Sequence, residues 1–107
     1  MSAIQEVWIV EGVEGTTRRQ QKARLAEWKK QFVAEGASDI QIWEGGYGEY
    51  NGAWLFVINF ADGAAWGALT DKYSANSKSF DDAMEVWQKT PVLKFRGGGL
   101  LHHASDI

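Results

Sequence analysis

An α+β fold, with one antiparallel four-stranded sheet carrying two helices on a single face, is predicted by three observations. Short β-branched and aromatic runs alternate with segments whose apolar residues recur at helical spacing. The strong hairpin signal Asn51-Gly52 sits between the second and third of those runs. The single proline, Pro91, falls just before the last of them. With 107 residues the chain is expected to form one domain, spanning residues 1–107.

The elements follow in order. Residues 3–10 (AIQEVWIV) read as the first strand. Thr17 stands three residues before Gln20, a capping-box spacing, and Leu25, Trp28 and Phe32 then share one face of a helix over residues 17–35. Residues 39–44 (DIQIWE) alternate as a second strand, and Gly45-Gly46 suggests a bulge after it. Residues 53–60 (AWLFVINF) are nearly all apolar and read as a central strand. Asp62 caps a second helix carrying Trp66, Leu69 and Tyr73. Beyond residues 74–77, a further turn of chain places Phe80, Met84 and Trp87 on one side. Residues 92–96 begin a fourth strand, which Gly97-Gly98-Gly99 is expected to interrupt before Leu100 and Leu101. The order is βαββαβ, the ferredoxin-like plan.

Composition narrows the function classes. The chain has no cysteine, which excludes disulfides, thiolate metal sites and thiol catalysis. Its net charge of −3 and the absence of aromatics at the stacking positions of the third strand argue against nucleic acid as a partner. Six of the 11 basic residues fall between Arg18 and Lys30, a pattern that a solvated helix face explains. Neither a basic leader nor a membrane-length apolar run is present, so no membrane association and a cytoplasmic location are expected. The unusual count is six Trp, of which Trp8, Trp28, Trp54, Trp66 and Trp87 fit one core under the helices and Trp43 does not.

Strand alternation then isolates a second face. Gln5, Val7, Ile9, Gln41, Trp43, Ala53, Leu55, Val57 and Asn59 point away from the helices, and six of these nine are apolar. Four strands of this length present roughly 400 Å² in projection, which a monomer does not leave bare. The expected cover is a second copy of the chain, packed sheet to sheet, with Leu100 and Leu101 reaching across to it.

With these features, the chain resembles the dimeric α/β-barrel superfamily, near the small antibiotic-biosynthesis monooxygenase-type proteins. The resemblance rests on length, on element order, on residues 59–66 (NFADGAAW) and on the helix that follows. It implies a homodimer whose sheets enclose a cavity for a small, largely apolar molecule. Gln5, Gln41, Trp43 and Asn59 are the candidate ligand-binding residues there. It also offers a cofactor-independent monooxygenase or isomerase, acting on an aromatic or polyketide-like substrate, with Asn59, Trp66 and Tyr73 matching the residue types of that activity. No cofactor and no metal are expected: neither helix contains the His that haem-degrading relatives use. His102 and His103, near the chain end, read as an exposed, frayed tail. A pure interaction module, with the space between the sheets filled, is the non-enzymatic alternative.

Overall fold

A computed structural model describes residues 3–74, 78–104 and 107. Four strands, β1 (Ile4–Gly12), β2 (Asp39–Glu44), β3 (Ala53–Phe60) and β4 (Leu93–His102), form one antiparallel sheet in the order β2-β3-β1-β4. The two most apolar strands, β1 and β3, are central, with β3 the more fully buried. Three helices accompany them: α1 (Arg18–Ala34), α2 (Gly63–Ser74) and α3 (Lys78–Lys89). The chain therefore builds one helix more than the two expected. The segment around Phe80, Met84 and Trp87 is a helix in its own right, and residues 75–77, expected to separate it from α2, lie outside the described residues.

Local chemistry sets the helix starts. The Thr17 hydroxyl accepts from the Gln20 amide at 3.1 Å, and the Gln20 side chain accepts from the Thr17 amide at 2.7 Å. Both ends of the capping box are thus closed. Asp62 accepts from the Ala65 amide at 2.9 Å and opens α2 in the same manner.

The core lies between sheet and helices. Val10, Leu25, Phe56, Ile58, Phe60 and Phe80 are almost fully buried there, and no polar side chain among the described residues is buried with them. Trp8 on β1 is its hub. Its ring lies 5.1 Å from Phe32, 5.3 Å from Phe95, 5.5 Å from Phe56 and 6.0 Å from Trp28. Edge-to-face and offset pairs of this kind add to the gain from burial alone.

Two expectations about glycine are corrected. Gly45-Gly46 forms no bulge: β2 ends at Glu44, and the chain passes through a one-turn 3₁₀ helix (Gly48–Tyr50) before the hairpin turn. In that turn Asn51 keeps a negative φ of −57° and only Gly52 is left-handed, at +80°, the signature of a type II turn. Gly97-Gly98-Gly99 does not interrupt β4 either. The strand runs through it, with a register shift opposite Ile9 and Val10, and pairs Leu100 with Glu6 and Leu101 with Gln5 of its own chain. The last strand therefore pairs along β1 of its own chain, as an edge strand of the sheet. His102 and His103 are tied down too, by pairing with Ile4 and by a 3.1 Å bond from the His103 amide to Ala3.

Glycine at 98 reflects close approach. A Cβ there would stand 2.3 Å from the Val7 carbonyl oxygen of the neighbouring strand, whereas a Cβ at Gly67 in α2 meets nothing. Gly98→Ala is expected to destabilise the fold by ~1–3 kcal/mol, the usual cost of forced overpacking. Gly67→Ala is expected to stabilise it by up to ~1 kcal/mol through helix propensity. Urea unfolding midpoints of the two variants should move in opposite directions.

Candidate functional site

The four residues singled out from the sequence all lie on the sheet face turned away from the helices, but they form no single site. Gln5 and Asn59 are direct partners across β1 and β3, and Gln5 Nε2 donates to Asn59 Oδ1 at 2.9 Å. Both line a hollow of about 480 Å³ at the sheet end, with Leu101, His102 and His103. Gln41 and Trp43 lie on the edge strand β2, opposite Val57 and Leu55, and neither borders that hollow. Trp43 is 57% exposed. The Gln5–Asn59 bond gives each amide one partner, with Gln5 Oε1 and Asn59 Nδ2 retaining further hydrogen-bonding capacity.

Asn59, Trp66 and Tyr73 are not brought together. Asn59 belongs to the outer face, while Trp66 donates its indole N–H to Glu6 on the helix side. Tyr73 borders the hollows described next.

The most strongly aromatic concavity is one that alternation alone does not reveal. It lies on the helix side, where α1 and α3 stand over β1 and β4, and encloses about 220 Å³. Trp8, Trp28, Phe32, Trp87 and Phe95 supply ring walls, and Met84 adds an adaptable thioether. Trp28 and Phe95 are nearly parallel, 15° apart in plane with centroids at 6.2 Å. Phe95 is 63% exposed, so it is a wall facing solvent rather than a core residue.

Helix α1 fixes this cavity by clamping the end of α3. Arg24 donates to the carbonyl oxygens of Trp87 at 3.2 Å and Thr90 at 2.9 Å, which would otherwise be unpaired acceptors at a helix terminus. Glu27 stands 3.4 Å from Arg24 Nε and accepts from the Trp87 indole at 3.0 Å. The Arg24 charge is thereby balanced, and the Trp87 ring is held in place.

The indole N–H groups tell the walls apart. Trp8 and Trp66 donate to Glu6, Trp54 to Gln21 and Trp87 to Glu27. Trp28 is 8% exposed, and its Nε1 is buried without a hydrogen-bond partner among the described residues. A buried donor without an acceptor costs ~1–3 kcal/mol, a cost that the ring packing of Trp28 offsets.

Beside this cavity lies a smaller hollow of about 160 Å³, bordered by Glu6, Trp8, Phe32, Leu69, Thr70 and Tyr73. Trp8, Phe32 and Tyr73 are walls of both. Among the described residues no three His, Asp or Glu side chains gather as a metal-binding group. Among the described residues no helix is long and apolar enough to cross a membrane.

The chain is similar over 96% of its length to a crystal structure of a protein from Thermobifida fusca YX, with a TM-score of 0.60 and 12% identity, covering 91% of that chain. That protein is described as a dimeric ferredoxin-like protein of unknown function. The fold is ferredoxin-like. At this identity the likeness speaks for the ferredoxin-like architecture alone. No protein-family model matches the chain, and no curated protein does.

The Gln5–Asn59 pair is expected to act in stability. In a double-mutant cycle with Gln5→Leu and Asn59→Leu, the coupling should be ~0.5–1.5 kcal/mol, that of a neutral hydrogen bond. Thermal unfolding of the four proteins measures it.

Proposed function

We propose that the protein is a cytoplasmic homodimer that binds a small, largely apolar aromatic molecule in the helix-side cavity of each subunit. The observation that carries the reading is the ring-lined cavity itself, walled by Trp8, Trp28, Phe32, Trp87 and Phe95. Size supports the class of ligand. An apolar cavity of ~150 Å³ holds benzene, and sites for drug-sized molecules start at ~300 Å³. At about 220 Å³ the cavity suits one or two fused rings. Electrostatics favours a neutral ring system there, because Arg24 is balanced by Glu27. This places the ligand on the opposite side of the sheet from Gln5, Gln41, Trp43 and Asn59, whose face is assigned here to the dimer.

The dimer is supported by that outer face. Trp43 and Leu101 are largely exposed on it, and Val7, Ile9 and Leu55 are only partly covered. The Thermobifida fusca protein with this fold is dimeric. Light scattering at micromolar concentration should give twice the chain mass of 11.9 kDa. Trp43→Lys should shift the species towards the single-chain mass, since a charge buried in such an interface is left unpaired. A wild-type protein that stays monomeric overturns the dimer.

For the ligand site, quinoline and naphthalene form a matched pair that differs in one acceptor nitrogen. Calorimetric titration at neutral pH should show naphthalene binding at least as tightly as quinoline, since the walls are ring faces and Arg24 is already paired. Trp87→Ala removes one ring wall and should weaken both by about fivefold. Absence of binding for both molecules overturns the reading.

A further inference from the structure

Glu6 is the side chain that neither the core nor the proposed ring site accounts for. It sits on the inward face of the central strand β1, between Ile4 and Trp8 and in line with Val10, at a position where every neighbour on that face is apolar. The side chain is partly covered there, and a carboxylate drawn out of water is best held where donors meet its oxygens. Both oxygens are held: Oε2 accepts from the Trp8 indole at 3.1 Å and Oε1 from the Trp66 indole at 3.3 Å. These donors orient the carboxylate but carry no positive charge. Among the described residues no Lys, Arg or His makes an ion pair with Glu6, although six other acidic side chains are so paired.

The surroundings match one kind of guest. Glu6 borders the 160 Å³ hollow, whose other walls include the rings of Trp8, Phe32 and Tyr73 and the hydroxyl-bearing Thr70. A carboxylate among ring faces is the chemistry that recognises an organic ammonium ion: the rings attract the cation through their quadrupoles, and the carboxylate supplies the countercharge. Each Glu6 oxygen receives one indole N–H and retains acceptor capacity for an N–H from the guest. Arg24, the cation of the larger cavity, does not border this smaller hollow, so no like charge faces the guest there.

We propose that Glu6 is the anchoring carboxylate for a ligand that carries a protonated amine beside its aromatic body. This rests on the ring site proposed above and names the ligand class: aromatic amines rather than neutral arenes or aromatic acids. The ammonium lies in the smaller hollow against Glu6, beside the rings of Trp8, Phe32 and Tyr73 that border both hollows.

Three probes of common shape separate the possibilities, namely 1-naphthylmethylammonium, 1-naphthylmethanol and 1-naphthoate. They are titrated into the full-length protein at neutral pH and low salt by calorimetry. The ammonium is expected to bind at least about tenfold more tightly than the alcohol, with the carboxylate weakest, as a charge-assisted contact requires. Glu6→Gln keeps an acceptor for one indole and removes the charge, and should bring the ammonium down to the alcohol's affinity while leaving the alcohol unchanged. Trp66→Phe, which keeps the carboxylate, should retain the preference. Equal affinity of ammonium and alcohol for the wild-type protein overturns the role of Glu6 and leaves the ring site standing. A preference that survives Glu6→Gln overturns it as well. Failure of all three probes to bind overturns both readings. Should Glu6→Gln not fold, the wild-type ranking of the three probes decides by itself.

Discussion

The structure depends on the placement of one ring, Trp8, at the centre of the sheet's inner face. Trp8 occupies the middle of β1, which is hydrogen-bonded to β3 on one side and β4 on the other. From there it touches α1 through Trp28 and Phe32, β3 through Phe56 and β4 through Phe95. Sheet and helix thus meet through rigid rings rather than through flexible aliphatic chains. Rings pack at fixed angles, and a cluster of five has few ways to fill space completely. The same residues that close the core therefore also wall the hollows beside it. Core and candidate site are here one assembly of side chains.

That double use explains which polar groups accompany the rings. An indole brings an N–H into the interior, and four of the tryptophans meet it with Glu6, Gln21 or Glu27. These acceptors come from strand β1 and from the flank of α1. Arg24 and Glu27 also secure the end of α3, so the position of the Trp87 wall depends on α1. The exception, Trp28, occupies the middle of α1 on its buried face, where no acceptor on a neighbouring element reaches it.

Much of the fold was legible in the sequence because its signals are local. The Thr17–Gln20 capping box, the Asp62 cap and the alternation of β1 and β3 depend on residues a few positions apart, and each appears as read. The departures come where long-range pairing decides. Three successive glycines have weak strand propensity, yet β4 continues through them because β1 offers a full ladder of partners. The third helix was visible as the spacing of Phe80, Met84 and Trp87.

The site was less legible, for a reason that lies in how the faces were sorted. Alternation separates inward from outward residues, and a polar residue on the outward face, such as Gln41 or Asn59, draws attention as an exception to its neighbours. On the inward face the exception was Glu6, in the same alternating set as Trp8 and Val10, one strand pitch from the hub ring. Periodicity marks it plainly: a carboxylate where the pattern demands an apolar side chain. Periodicity cannot show that two indoles, one from the same strand and one from a helix sixty residues later in the chain, converge on its oxygens. Nor can it show that no cation among the described residues answers its charge. Glu6 is partly covered rather than buried, and its carboxylate answers two indole N–H groups that a leucine at the same position would leave without an acceptor.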